Sequence, residues 1–456
     1  MGRDSDSRRG LILLIMTAGY FLVLLDVTVI NIALPSIRGA IGANVSSLQW
    51  VVDGYAVALA ALLLTGGTLG DLYGHRRVVL VGFAFFGVAS LSCGLAPSSG
   101  VLVGARVAQG VGAAVLLPGT LAIINRAYRG DRGAQARAIS IWAAVGSLAL
   151  PAGPLLGGLL VETTGWRGVF LINLPVVVLA TAGSLWLVPE SEELSEQRLD
   201  WPGAALGAVF LAALTLAFIE AGRAGGASVV AASFCAAVAL AAFVFAESRS
   251  ASPMLPLGFF RVPAFTGANV VAGLMNLVVL GTIFVLTLYL QVVQGRSALL
   301  AGLETVPLFA PLSVLTPLGG RLTSRYGPRA PMTGGLVIGV VGMLLLSLLK
   351  ADSGYLAGLL APMLCLGVGL GFLTPAVVAA AMGSVPDSRS GLAAGVNNTA
   401  RQACGATGVA LFGALAGSPS LVGTFLTGLH TAALVGAGLW VAGIVLTVTL
   451  VQQHTG

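Results

Sequence analysis

The sequence predicts an all-α polytopic membrane protein of fourteen transmembrane helices, arranged as two six-helix halves plus two inserted helices. Three observations carry this. The 456 residues are 57% hydrophobic and only 9% charged, with a mean hydropathy of +0.97, whereas a soluble domain carries about a quarter charged residues. Apolar runs of about 18 residues or more, each able to cross ~30 Å of hydrocarbon as a helix, recur along the whole length. A glycine-rich segment near residue 66 returns near residue 319.

The runs, bounded by charge, Pro or Gly clusters, fall near 11–34, 48–70, 78–96, 101–124, 138–160, 168–188, 202–221, 228–246, 265–290, 299–320, 331–349, 355–381, 391–413 and 430–451. The first follows a basic start with Arg8-Arg9, as a secretory leader would. No small-x-small cleavage site follows, and Asp26 interrupts its apolar core, so it reads as an uncleaved first span. An even number of spans returns both ends of the chain to one side. Counted from an inner start, sixteen basic residues fall in inner loops and tails and five in outer loops. Both termini are therefore expected in the cytoplasm of a cell-membrane protein. The net charge of +6 is thus topological and implies no nucleic-acid partner. Cys93, Cys235, Cys365 and Cys404 lie singly within apolar runs and read as small buried hydrophobes rather than disulfides or metal ligands.

The repeat organises the halves. "GGTLGDLYGHRR" at Gly66 and "GGRLTSRYGPRA" at Gly319, 253 residues later, share six of twelve letters. If span 2 pairs with span 10, spans 1 to 6 pair with spans 9 to 14 and spans 7 and 8 are an insert. The expected divisions are 1–188, the N-terminal half; 189–264, a linker and the two inserted helices; and 265–456, the C-terminal half. The acidic stretch at Pro189 reads as a solvated loop, with Asp200 capping the helix that Pro202 opens.

Few charges lie inside the spans: Asp26, Asp53, Arg106, Glu304 and Arg401, with Glu220 at an outer helix end near water. A mid-helix charge costs ~2.5–3.5 kcal/mol on insertion scales, so each needs a reason. At ~1.5 Å per residue, Asp26 lies ~5 Å and Asp53, Arg106 and Glu304 ~8–10 Å to the outer side of their span centres. A shared level favours a shared polar cavity. Within it, Asp26 reads either as a carboxyl that binds and releases a proton, or as half of a static ion pair with Arg106 that locks spans 1 and 4. The two coexist if the pair breaks in turnover. His75, His430 and His454 lie outside the membrane core, so no metal site or Ser-His arrangement forms at depth and no enzyme is expected. No cofactor or metal is expected.

The motifs resemble the major facilitator superfamily, and within it the fourteen-span drug:proton antiporters. "GDLYGHRR" at Gly70 resembles the loop 2-3 signature, which implies a cytoplasmic gate at Gly67, Gly70, Asp71, Gly74, Arg76 and Arg77, with His75 where an arginine is usual. Its residues also have a physical reading: Asp71 as a cap for the next helix, and Gly66, Gly67 and Gly70 as close-approach positions. In the second copy Ser324 stands at the place of Asp71. "LVGARVAQGVGAA" at Leu102 resembles the span 4 signature, linking Arg106 to proton transfer. "GSLALPAGPLLGG" is similar to the antiporter motif of span 5, through Gly146, Gly153, Pro154, Gly157 and Gly158. "LDVTVINIALP" matches the fourteen-span group at Asp26, Asn31 and Pro35, as does "GWRGVFLINLP" at Gly165. Acids on spans 1, 2 and 10 are frequent in that family, and Asp53 and Glu304 match in location.

The resemblance implies proton-coupled export of hydrophobic or amphipathic small molecules, cationic ones or drugs among them, by alternating access. Proton coupling is expected at Asp26, Arg106, Asp53 and Glu304, and a substrate cavity at Asp26, Asn31, Asp53, Glu304 and Arg401. The expected partners are a small-molecule substrate, protons and the bilayer, and the expected state is a monomer. An uptake symporter of the same fold is the nearest alternative, and a transport-dead ligand sensor a further one.

Overall fold

The structure is a computed structural model that describes residues 2–129, 131–190, 200–222, 226–250, 253, 255, 257–385 and 390–451. Most of the acidic linker (191–199) lies outside the described residues, as does His454.

Every regular element among the described residues is helical: α1 Gly2–Ile41, α2 Val45–Tyr73, α3 His75–Gly94, α4 Ser99–Ala127, α5 Arg132–Thr164, α6 Gly168–Leu171, α7 Asn173–Leu187, α8 Trp201–Gly222, α9 Gly226–Arg249, α10 Pro263–Leu288, α11 Ala298–Tyr326, α12 Arg329–Leu346, α13 Leu360–Gly383, α14 Ser390–Ala416 and α15 Val422–Leu450. Side-chain caps satisfy the first amides of several: Asn44 accepts from Ser47 N–H at 2.8 Å and Asp131 from Ala134 N–H at 2.9 Å. Asp200 accepts from Gly203 N–H at 2.9 Å, the cap expected for α8. Asp71 does not cap α3. It lies in the last turn of α2, its oxygen is 3.3 Å from His75 Nε2, and the α3 N-cap is Gly74, a residue without a side chain and with φ +91°.

Twelve helices among the described residues are long and apolar enough to cross a membrane. Counted as one bent span, α5, whose arms Arg137–Gly146 and Pro151–Thr164 meet at 43°, brings the number to thirteen. Pro151 and Pro154 withdraw backbone donors on the C-terminal side of that bend, which accounts for its place. The count of fourteen is not reached: α14, read from the sequence as a span, is absent from this set, and it carries the polar run from Asn397 to Gln402. The last helix starts at Val422, eight residues before the expected 430, so His430 lies inside a candidate span rather than at its first residue.

The chain divides into two compact units, Met1–Ala208 with Ser250–Met254, and Val209–Arg249 with Leu255–Gly456. In the first, α2 packs on α4, α1 on α5, α3 on α4 and α7, and α1 also on α4 and α7. In the second, α11 packs on α13, α10 on α14, α12 on α13 and α15, and α10 also on α13 and α15. These six pairs match one for one under the repeat inferred from the two glycine-rich segments. Glycine sets the closest approaches. A Cβ on Gly66 of α2 would lie 2.9 Å from the Ala114 carbonyl carbon of α4, and one on Gly319 of α11 would lie 2.6 Å from the Gly371 oxygen of α13. By contrast α9 turns Val230, Phe234, Val238 and Phe245 outward, as a face bathed in lipid requires. Of the cysteines only Cys93 is buried; Cys235 is exposed on α9, and the other two are half-buried. None is in a disulfide.

Candidate functional site

A polar cluster lies within the first unit, inside an otherwise apolar helix bundle. Arg106 and Gln109, three residues apart on α4, share one helix face. Asp26 reaches them from α1, Ser90 and Cys93 from α3, Tyr55 from α2 and Asn173 from the first residue of α7. All are buried: Asp26 is 1% exposed, and Arg106, Gln109 and Ser90 are 0% exposed.

Three donors reach the Asp26 carboxylate, while Arg106 Nη2 has no hydrogen-bond partner among the described residues. Arg106 Nη1 forms an ion pair and hydrogen bond with Oδ2. Gln109 Nε2 donates to Oδ1 at 2.9 Å and Asn173 Nδ2 donates to the same oxygen at 3.2 Å. Ser90 closes the network: it accepts from Asn173 at 2.8 Å and Gln109 at 3.2 Å, and it donates to the Phe170 carbonyl at 3.0 Å. That carbonyl belongs to α6, which continues through Ile172, itself helical at φ −59° and ψ −25°, into α7, so one helical stretch presents both the Phe170 oxygen and the Asn173 amide to the cluster. Arg106 is held independently of its counter-ion. Its Nε donates to the Val51 carbonyl at 2.9 Å, its Nη1 to Gln109 Oε1 at 2.7 Å, and its guanidinium lies 4.4 Å over the Tyr55 ring. A buried ion pair needs such added hydrogen bonds to offset its desolvation.

Other expected residues lie apart from this network. Asp53 is 0% exposed, yet neither of its oxygens has a hydrogen-bond partner among the described residues. Asn31 turns back on its own helix, donating to the Val27 carbonyl at 3.1 Å. In the second unit Glu304 pairs with Arg296, Nε to Oε1 at 3.5 Å, and half-buried Arg401 donates to Asn276 at 3.3 Å. Within the first unit, Asp26 and Arg106 therefore share one hydrogen-bonded cluster, while Asp53 and Asn31 take no part in its hydrogen bonds.

The two units differ at the equivalent place. Gly110 packs on the Tyr55 carbonyl and Gly112 on the Phe86 backbone, while Gly367 packs on the Leu308 carbonyl and Gly369 on the Gly339 backbone. In that register Met343, Met363 and Leu366 occupy the positions of Ser90, Arg106 and Gln109, and all three are 0–1% exposed. The helix packing is repeated; the charge is not.

The expected gate residues make a second cluster. Arg76 donates to the Leu185 carbonyl at 2.6 Å, and Arg76 and Arg77 approach Glu190, just beyond α7, at 3.7 and 3.3 Å. Asp71 engages His75 instead. A Cβ on Gly67 would lie 3.6 Å from Pro118 Cβ of α4, and Gly70 makes room for the His75 ring rather than for a facing helix. On α5, Gly146 lies under the Tyr20 ring, a Cβ on Gly153 would meet Thr28 Cβ at 2.7 Å, and one on Gly157 would meet the Val29 carbonyl at 2.9 Å. Pro154 and Gly158 are buried on the same helix. The motif thus fastens α5 to α1, the helix that carries Asp26.

Sequence reasoning did not assign roles to Gln109, Asn173, Ser90, Tyr55 or Glu190. Two had a signal. Gln109 is three residues from Arg106, and Asn173 is the asparagine of "GWRGVFLINLP". Ser90, Tyr55 and Glu190 had none, because only the packing of α2, α3 and α7 brings them in.

Known proteins agree with this architecture. The chain is 37% identical over 412 residues to the multidrug resistance protein Stp of Mycobacterium tuberculosis, covering 90% of this chain and 76% of that one. It is 37% identical over 428 residues to the cephamycin export protein CmcT of Amycolatopsis lactamdurans, covering 91% and 87%. In fold it matches the crystal structure of a bacterial homologue of the human lysosomal transporter Spinster, inward-facing and unoccupied, with a TM-score of 0.71, 18% identity and 96% of each chain covered. The Major Facilitator Superfamily description matches residues 16–409. With the paired six-helix packing, that match places the chain in the major facilitator superfamily.

Proposed function

We propose that this protein is a proton-coupled antiporter that exports hydrophobic or amphipathic small molecules, drugs and antibiotics among them, by alternating access. The observation that carries the reading is the Asp26–Arg106 pair, buried in a hydrogen-bonded network. Its weight comes from relatives named for multidrug resistance and for cephamycin export. On this reading Asp26 carries the proton, and shifts of α4 or α7 during alternating access withdraw and restore its hydrogen-bond donors. Such an exchange couples the proton gradient to the rocking of the two halves. The gradient supplies ~2.3 kcal/mol per charge per 100 mV and ~1.4 kcal/mol per pH unit.

On this reading the chain belongs to the fourteen-span drug:proton antiporters of the superfamily. The fourteenth span is α14, supported by its 27 residues and by its packing on α10 as α5 packs on α1. The halves are 1–188 and 265–456, with 189–264 as linker and insert. Asp53 and Glu304 are further acids of the pathway, and Asn31 and Arg401 further polar groups of the cavity. Arg76, Arg77, Asp71 and the glycines around them form the inner gate, with both termini in the cytoplasm of a cell-membrane monomer.

The test is efflux in a host lacking its own pumps, with Asp26→Asn and Arg106→Ala beside the unmodified protein. The expected result is resistance to at least one hydrophobic drug, abolished by a protonophore and by both substitutions while membrane levels persist. Efflux unchanged in both variants would remove the coupling assignment, and uptake driven by the proton gradient would identify a symporter instead.

A further inference from the structure

The second unit is hollow at the place where the first is filled. A cavity of about 250 Å3 lies at the turn from α11 to α12, lined by Thr323, Ser324, Gly327 and Pro328 of the turn and by Pro375 and Ala379 of α13. In the register of the glycine-rich repeat, Ser324, Gly327 and Pro328 correspond to Asp71, Gly74 and His75. Pro375 likewise corresponds to Pro118 in the register that matches Gly367 with Gly110. In the first unit the His75 ring lies against Gly70, with Asp71 at 3.3 Å from its Nε2. Proline in place of the ring and serine in place of the carboxylate account for both the space and its lack of negative charge. The Ser324 hydroxyl now donates to the Arg321 carbonyl at 2.9 Å. A hydroxyl hydrogen rotates to suit its acceptor, so this one is available to an anion.

Arginines adjoin the lining residues in the chain. Arg321 and Arg325 are exposed, and Arg329 is half-buried at the first position of α12. Among the described residues none of these forms an ion pair; Arg325 only lies 5.2 Å over the ring of the exposed Tyr326. Arg76, the counterpart of Arg329, is held instead by Glu190 and the Leu185 carbonyl. Positions 314, 318, 321 and 325 follow helical spacing and share one face of α11. On that face Val314 is 74% and Leu318 44% exposed. One stripe therefore passes from exposed apolar surface to unpaired cations beside a cavity, the order in which a lipid presents its chain and then its headgroup.

We propose that this hollow, with Arg321, Arg325 and Arg329, binds the phosphate group of an anionic membrane phospholipid. Guanidinium groups give charge-assisted donors to the phosphate oxygens, Ser324 adds a hydroxyl, and the acyl chains lie along Leu318 and Val314. Basic pockets at the membrane surface favour such headgroups. The first unit refuses one at the equivalent place, because His75 occupies the space and Asp71 repels the charge. The site goes beyond the export reading and does not depend on what is transported.

Equilibrium binding of phosphatidylglycerol, labelled on its acyl chain, to the purified full-length protein in neutral detergent tests this. Arg321→Gln, Arg325→Gln and Arg329→Gln should each weaken binding about five-fold, the equivalent of the ~1 kcal/mol that a basic residue contributes at an anionic surface. Arg261→Gln, at an exposed arginine outside the hollow, should change it by less than about two-fold on that scale. Ser324→Asp with Pro328→His rebuilds the pair of the first unit, keeps every arginine, and should weaken binding by more than about tenfold. Unlabelled phosphatidylglycerol should compete; phosphatidylcholine, with its neutral headgroup, should not. Inorganic phosphate is the arm for a free ion and should compete only far above the lipid concentration. Thermal melts accompany each variant, and if the rebuilt one melts early the arginine series decides alone. Absence of saturable binding, losses in Arg261→Gln equal to those in the three arginines, unchanged binding in a folded rebuilt variant, equal competition by phosphatidylcholine, or displacement by inorganic phosphate at lipid-like concentration overturns the proposal.

Discussion

Asn173 Nδ2 lies 3.2 Å from Asp26 Oδ1, although 147 positions separate the two residues in the chain. The contact makes the helical stretch Gly168–Leu187 part of the Asp26 site. It also gives α7 a direct hold on the carboxylate that α1 carries.

Asn173→Leu keeps the volume but removes donors to both Asp26 and Ser90. The loss should cost about 1–3 kcal/mol, the penalty for leaving buried acceptors unsatisfied. A lower melting temperature of the purified protein, together with weaker drug efflux at equal membrane level, is the expected pair of readings. A melting temperature equal to that of the unmodified protein would show that the contact carries no energy.

Arg106→Ala leaves the Asp26 carboxylate buried without its counter-ion, a change that costs about 3–5 kcal/mol when a buried pair is broken. Asp26→Asn with Arg106→Gln removes both charges and should melt closer to the unmodified protein than Arg106→Ala alone. Equal or lower stability of the double variant would show that the pair is not energetically coupled.

Gly153→Val places side-chain atoms against Thr28 and the Val29 backbone of α1, where even a Cβ would lie 2.7 Å from Thr28 Cβ. Overpacking of this kind costs about 1–3 kcal/mol. Efflux should fall sharply, whereas the same substitution at Gly104, where nothing lies within 4 Å of a Cβ, should be tolerated. Drug susceptibility of cells expressing each variant, at matched protein level, makes the comparison.

At the expected gate, Arg76 and Arg77 share Glu190, but their side chains are 25% and 71% exposed and only Arg76 also binds the Leu185 carbonyl. An exposed pair contributes about 0–1 kcal/mol. Arg76→Ala should therefore reduce efflux well beyond Arg77→Ala, as read from dye extrusion rates. Similar losses in both would assign the role to charge alone.

A cysteine at Asp131, the exposed N-cap of α5, tests the orientation. With both termini inside, an impermeant thiol reagent should label it only after the membrane is opened. Labelling of intact cells would invert the topology.

The sequence by itself determined that the chain is helical and membrane-spanning, that it repeats a glycine-rich segment, and that Asp26, Asp53, Arg106, Glu304 and Arg401 are the charges inside its apolar runs. Each follows from a one-dimensional signal: apolar length, a repeated glycine-rich segment, or an ionisable residue in an apolar run. Depth along a helix axis was legible too, but rotation about that axis was not. Asp26, Asp53 and Arg106 were placed at similar heights, yet only Asp26 and Arg106 point at each other, and Asn31 turns back on its own helix. The packing also decided that Gln109, Asn173 and Ser90 complete the site, that Glu190 receives the gate arginines, and that Met363 and Leu366 replace the charge in the second half. Direction of a side chain within a bundle depends on which neighbours cover each face, and those neighbours lie tens to hundreds of residues away in the chain.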